Sequence, residues 1–307
     1  MGWRSATAWA RLARIPNLFT VPGDPLAGYL AARSAAGADM VSSATLASTA
    51  ASALLLYLGG LFLNDVFDRE VDRRERPERP LPSGAVRSST VLAAGIACLV
   101  AAVGIACLGG GVRPAVVAAV VAGLVLAYDG VAKRNRWLGP AVMAACRAGS
   151  VILGAAAFTT TTWASSYLVL VAAGATWLYT AVVTRIAATE TSGEAPRGAW
   201  PYAPAIALAA SATLGVAVLG VIPPIASLVF LVMTIGDAIH AGWQVASNAA
   251  PVPEYIGRLV RALVTLQGAW ICWALADEPV LVIVVAAGVV VLARAAAGFS
   301  SKKFYGS

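Results

Sequence analysis

Charge is scarce in this chain. Only 12% of its 307 residues are charged, about half the share of an ordinary soluble domain. A single histidine is present, which leaves no basis for a histidine-rich zinc or haem site. Cysteine is also sparse. Cys98, Cys107, Cys146 and Cys272 all fall within apolar runs at no metal-ligand spacing, and they read as small buried hydrophobes. The connections between apolar runs are short, so residues 1–307 are expected to form one integral-membrane domain with no separate soluble unit. What fills the chain instead is apolar: 59% of residues are hydrophobic and the mean hydropathy is +0.78.

Ten apolar windows approach the length needed to cross about 30 Å of hydrocarbon. They run from Phe19 to Ala32, Leu46 to Asn64, Thr90 to Leu108, Ala115 to Tyr128, Ala141 to Phe158, Tyr167 to Ala187, Tyr202 to Leu219, Ile225 to Trp243, Leu259 to Leu275 and Val280 to Leu292. The expected fold class is therefore all-α, a polytopic transmembrane bundle of nine to ten helices. The first window is not read as a signal peptide, because "RIPNLFTVPGDPLAGYL" carries internal prolines and a long polar flank in place of a clean apolar core and cleavage site. It is taken as helix one.

Basic residues set the orientation. If the amino terminus is cytoplasmic and ten spans alternate, all 22 Lys and Arg except Arg33, Arg113 and Arg147 fall on the cytoplasmic side. That asymmetry supports both the topology and the span count. The net charge of +7 is then accounted for by topology and by phosphate, and nucleic acid is not an expected partner.

One stretch concentrates the chemistry: "LNDVFDREVDRRERPERPLPSG", Leu63 to Gly84, where an apolar run turns almost wholly charged. Asn64, Asp68 and Asp72 are four apart, so on a continuing helix they form one polar stripe, with Asp65 beside it. Carboxylates gathered on one face near lipid repel one another, and a divalent cation is their natural neutraliser. Oxygen-only ligands favour Mg²⁺, which bridges readily to substrate phosphates. The competing reading is a solvated helix end paired with Arg69 and Arg73.

The stretch "NDVFDREVDRRERPERPLPSG" resembles the first aspartate-rich motif and following loop of the UbiA-type intramembrane prenyltransferases. The likeness includes the Asn-Asp pair, the repeated aspartates and the trailing Arg79-Pro80-Leu81-Pro82-Ser83-Gly84. Upstream, "RIPNLFTVPGDPLAGYL" is similar to the first helix of such proteins. The resemblance implies a UbiA-like fold, Mg²⁺ held by two acidic motifs, ionisation of an isoprenyl diphosphate and capture of the allylic cation by an acceptor. It marks Asn64, Asp65, Asp68 and Asp72 as metal ligands, Asp68 as catalytic, and Arg79 as facing the diphosphate. "YDGVAKRN" stands where the family has a tyrosine followed by a lysine, so Tyr128 becomes a candidate for shielding the cation and Lys133 for binding diphosphate. The form "YDGVAKRN…LGP…CRAG" looks more like the branch that accompanies the bacterial Ebo-type operons. Lys133 also reads as an ordinary positive-inside residue beside Arg134 and Arg136.

The second motif departs from the pattern. The family usually has further aspartates at the cytoplasmic end of span six, and "WLYTAVVTRIAATETSGEAPRG" has none. Glu190 and Glu194 stand four apart there and would share a face if the helix continued, so they are the candidate replacements, set against a plain solvated glutamate pair. Arg147, inside an apolar window, should face the bundle interior with an anionic or carbonyl partner. It either contacts diphosphate or holds Asp237 or a helix end, and Arg185 is a further candidate for diphosphate charge. Asp237, His240 and Gln244 share one polar face of span eight and serve either an acceptor or a hydrogen-bond cluster between helices. Tyr57, Tyr128, Trp177, Tyr179, Trp270 and Trp273 line a cation-sheltering chamber or belong to interfacial belts.

Three functional classes emerge. A Mg²⁺-dependent prenyltransferase in the bilayer, joining an isoprenyl diphosphate to an acceptor at the cytoplasmic face, accounts together for the acidic stripe, the basic loop and the apolar bundle. A UbiA-like terpene cyclase would turn the same cation on its own chain. A lipid or isoprenoid carrier is the non-enzymatic alternative, against which stands the lack of an internal repeat or paired broken helices.

Overall fold

The computed structural model describes residues 3–37, 42–158, 166–190 and 198–305. The ordered elements are all helical, as the apolar windows predict: α1 (Trp3–Leu12), α2 (Ile15–Leu18), α3 (Gly23–Ala35), α4 (Ser43–Phe67), α5 (Arg69–Glu75), α6 (Ser88–Gly110), α7 (Val112–Gly130), α8 (Leu138–Ala157), α9 (Tyr167–Glu190), α10 (Ala203–Leu219), α11 (Ile225–Ala246), α12 (Val252–Ala274) and α13 (Val280–Tyr305). Eight of these, α4, α6 to α11 and α13, are long and apolar enough to cross a membrane. The protein is an integral, multi-pass membrane protein.

Two of the ten windows behave differently from the rest. The first yields only the 13 residues of α3, roughly 20 Å of helix at 1.5 Å per residue and short of a full span. Pro16 and Pro22 are the reason: the chain makes the single turn α2, then bends through Phe19 to Pro22 before α3 begins. The ninth window, α12, is long enough but carries Glu254, Arg258, Arg261 and Gln267. It is sheathed by protein rather than lipid, with every residue from Ala262 to Leu275 buried. Trp270 and Trp273 stack within it at 5.9 Å between ring centroids.

The lipid-facing helices show the opposite arrangement. Leu108 on α6 is 91% exposed and Leu292 on α13 is 70% exposed, because their apolar faces have hydrocarbon as solvent. Close packing comes instead from small residues. A Cβ added at Gly28 of α3 would lie 1.8 Å from the Val151 carbonyl oxygen of α8, and one at Gly154 would lie 1.8 Å from that of Pro25. Backbones therefore touch at this crossing, and it sets α3 against the α8 face that carries Arg147. At the other end of the bundle the buried Arg33 pairs with the partly exposed Glu278 at 2.5 Å, which gives a partner to one of the three arginines outside the basic loops.

Candidate active site

Four helix ends and one turn meet at a single end of the bundle. The α4 helix stops at Phe67, Asp68 acts as the joint, and α5 begins at Arg69. The ladder is nearly continuous across the joint, since the Asp68 N–H donates to the Asn64 carbonyl at 2.9 Å and the Asp72 N–H donates to the Asp68 carbonyl at 2.8 Å. The polar stripe read from the spacing therefore forms, but its members do not face one point. Lys133, in the short 3₁₀ turn after α7, donates to Asp68 at 2.5 Å and to the Asn64 side-chain oxygen at 3.3 Å. Arg14 pairs with Asp65 at 3.5 Å. Arg79 folds back from the proline-rich loop to grip both oxygens of Asp72 at 2.8 and 2.9 Å. Arg69 and Arg73 are not the partners of the stripe, and Arg73 pairs with Glu70.

Behind this charged rim is a cavity of about 830 Å³ including its mouth, lined by α4, α7 and α8 together with Arg14 and Val21. Asn64, Tyr57, Tyr128, Cys146 and Arg147 contribute to its wall. So does Asp129, which is 3% exposed and has no hydrogen-bond donor on either carboxylate oxygen among the described residues. Lys133 and Arg14 attract its charge, while Asp68 and Asp65 repel it. A buried carboxylate without a donor is costly, which makes Asp129 a candidate cation ligand.

Arg147 has both kinds of partner expected of a guanidinium inside a span. Its Nε lies 2.7 Å from Asp24, and its Nη2 donates to the Thr20 carbonyl. Gln267 of α12 completes the knot, donating to Asp24 at 2.8 Å and to Thr20 at 2.6 Å. Asp237 is not the partner of Arg147. Since Asp24 is almost fully buried, Arg147→Met should lower unfolding stability by about 3–5 kcal/mol, the cost of stranding a buried charge. Arg147→Met combined with Asp24→Leu should recover most of that loss, as read by thermal unfolding in detergent.

The remaining candidates lie elsewhere. Arg185 sits over the Trp137 ring at 5.4 Å from its centroid and is not part of the cavity wall. Glu190 ends α9, but its side chain and the whole of Glu194 fall outside the described residues. Asp237 pairs with Arg294 at 2.5 Å, and His240 stacks on Trp243. Both line a second pocket that shares no residue with the first. Of the aromatic residues, Tyr57 and Tyr128 reach the cavity. Tyr179 instead donates to the Leu259 carbonyl and Trp177 to the Ala141 carbonyl.

Asp24, Asp129 and Arg14 were not singled out in the sequence as site residues. Asp24 and Asp129 carry the same signal that marked Arg147, an ionisable group in or at the edge of an apolar run. Arg14 looked like any other basic residue of the amino-terminal segment, and only its left-handed backbone (φ 45°) turns it back toward Asp65.

Among the described residues no three Asp, Glu, His or Cys side chains are gathered as a ready metal cage. The chemistry of the donors nonetheless suits a hard cation: Asn64, Asp65 and Asp68 are at the rim and the orphaned oxygens of Asp129 lie beside them, all oxygen ligands.

Comparison with known proteins places the chain. The family model described as the UbiA prenyltransferase family matches residues 26–192. A digeranylgeranylglyceryl phosphate synthase of Methanopyrus kandleri is 39% identical over 71 residues, 23% of this chain and 26% of that protein, so the match spans about a quarter of the curated relative's length. The apo structure of a UbiA homolog from Aeropyrum pernix K1 superposes with a TM-score of 0.65 at 18% identity, covering 82% of this chain and 96% of that one. A UbiA homolog from Archaeoglobus fulgidus, solved bound to GPP and Mg²⁺, gives a TM-score of 0.57 at 14% identity over 88% and 98% of the two chains. At these identities the superpositions show the shared fold.

Proposed function

The chain belongs to the UbiA prenyltransferase family, and on that premise we propose that it transfers an isoprenyl group from an isoprenyl diphosphate to an acceptor within the membrane. One observation carries the reading. A rim of polar and charged side chains, in which Asn64 and Arg14 line the cavity and hold Lys133, Asp68 and Asp65 beside it, adjoins a cavity whose wall is otherwise mainly apolar. An isoprenyl diphosphate has the same division, a multiply charged head and a hydrocarbon tail.

Each residue then has a task. Asn64, Asp65, Asp68 and Asp129 are the oxygen ligands that would hold Mg²⁺, with Glu190 and Glu194 as further ligands from the end of α9. When bound, Mg²⁺ supplies positive charge to the departing diphosphate. Lys133 exchanges its carboxylate partner Asp68 for a diphosphate oxygen, and Arg14 does the same from Asp65. Arg79 acts through Asp72, holding α5 and the loop in place, and Arg185, stacked over Trp137 outside the cavity wall, adds positive charge at a distance. Arg147 fixes α3 to α8, so that the cavity wall does not open as the diphosphate enters. Tyr128 and Tyr57 offer ring faces to the allylic cation.

The distribution of basic residues supports a cytoplasmic position for this end of the bundle and for the amino terminus. The archaeal UbiA homolog bound to GPP and Mg²⁺ supports both the donor class and the metal. The curated relative's name gives digeranylgeranylglyceryl phosphate as a product, so that compound is the first to assay. The test is to incubate purified protein with Mg²⁺, isoprenyl diphosphates of graded length and a membrane extract, and to identify products by mass spectrometry. Prenylated acceptor is expected. Cyclised hydrocarbon without acceptor would favour the cyclase, and intact diphosphate throughout would reject both.

A further inference from the structure

A second group of charges lies inside the bundle, away from the cavity just described. Between α11, α12 and α13 is a pocket of about 580 Å³ including its mouth, lined by Asp237, His240, Arg258, Arg261, Arg294 and Gly298. It is set well below the helix ends: Asp237 and Arg261 lie roughly 13 Å in from the nearest ends of α11 and α12 at 1.5 Å per residue. Ionisable groups at such depth are expensive, and they persist where they line a water-filled recess or bind something.

The charges do not cancel. Among the described residues three guanidiniums and an imidazole line the pocket together with one carboxylate. Asp237 is taken by Arg294 at 2.5 Å. Arg258 is paired one turn back along its own helix with Glu254 at 2.7 Å, and both of those side chains are partly exposed. Arg261 donates to a neutral oxygen, Ser301 Oγ, at 3.0 Å. A clamp joining α13 to α11 needs Arg294 and Asp237 alone, and it leaves Arg261, whose hydrogen-bond partner is neutral, unexplained.

We propose that this pocket binds a phosphate-bearing anion. A tetrahedral oxyanion has enough oxygens to engage Arg258 and Arg261 from α12 and Arg294 from α13, and guanidinium geometry suits it. The recess is open at its mouth, so a phosphate held there can be part of a larger molecule. Two sources share that chemistry. One is the headgroup of an anionic phospholipid, because Ile239, Trp243 and Leu292 on the neighbouring helix faces are exposed as lipid-facing residues are. The other is a soluble phosphate ester entering from the same side of the bundle as the acidic motif. Asp237 is the gate residue in either case, since its carboxylate competes with the anion for Arg294.

The test uses the full chain carrying Lys133→Gln without Mg²⁺, so that the first cavity contributes little. Two arms run in parallel: equilibrium dialysis with labelled inorganic phosphate, and native mass spectrometry after exposure to phosphatidylcholine vesicles with and without phosphatidic acid. One saturable ligand per chain is expected in at least one arm. Phosphate retention identifies a soluble source, and selective retention of phosphatidic acid identifies a lipid source. Arg261→Gln should weaken the binding at least tenfold, whereas Asp237→Asn should tighten it severalfold by freeing Arg294. Absence of binding in both arms, or binding untouched by Arg261→Gln, would overturn the proposal. Should Arg261→Gln fail to fold, Asp237→Asn decides alone: tighter binding supports the site, and unchanged or weaker binding refutes it.

Discussion

Asp68→Asn should lower prenyl transfer by at least about 10²-fold, roughly 3 kcal/mol of barrier, while the protein remains folded and inserted. Asp68 stands at the joint between α4 and α5, accepts a 2.5 Å contact from Lys133 and is part of the charged rim. Its substitution removes a carboxylate from the cation's ligand set and loosens the lysine that would meet the diphosphate. Asparagine keeps the size and one oxygen, so helix geometry is preserved and the loss falls on charge. The Lys133→Gln variant should be comparably impaired. The double variant should be much less impaired than the product of the two single losses, because the two side chains act as one unit. Near-normal Mg²⁺-dependent turnover in Asp68→Asn would remove this aspartate from the mechanism.

The second large effect belongs to Asp129, where stability and activity should move in opposite directions. Both of its carboxylate oxygens are buried without a donor, so neutralising the group removes a cost from the folded state. Asp129→Asn should therefore unfold at the same or a higher temperature in detergent. The same change should weaken Mg²⁺ dependence and lower turnover by about 10²-fold or more, since an oxygen ligand at a hard-cation site loses its charge. A variant that is both less stable and fully active would make Asp129 a structural residue with an undetected partner.

Much of this was legible in the sequence, and for a simple reason. A helix that faces lipid must be apolar along most of its length, so α4, α6 to α11 and α13 appear as predominantly hydrophobic runs. The acidic stripe was visible because four-residue spacing and helical geometry coincide. Partners across the bundle were less legible. Nothing in the linear order joins Asp24 to Arg147 or Arg294 to Asp237, since those pairs depend on which helices touch. The Gly28 and Gly154 crossing that brings the first pair together shows in sequence only as two glycines among many. The α12 helix misled in another way. Its charged first half lowers its mean hydropathy, yet it is the most enclosed helix of the bundle. Proline at positions 16 and 22 marked the first window as irregular, and the structure converts that irregularity into a shortened α3 and an Arg14 turned back toward Asp65.

The glutamates proposed to stand in for the family's second motif bear on how the cation would be held. If Asp129 supplies an acidic ligand from α7, the chain has a route to a second carboxylate contribution that does not depend on aspartates at the end of α9. Glu190 and Glu194 would then assist and not duplicate it.

The most direct test of the central claim is diphosphate release by the purified protein, supplied with an isoprenyl diphosphate and membrane extract and followed as Mg²⁺ is raised from zero. The account predicts saturable release that requires Mg²⁺ and is matched mole for mole by prenylated product. Release that is absent, or that proceeds equally in the presence of a chelator, would contradict it.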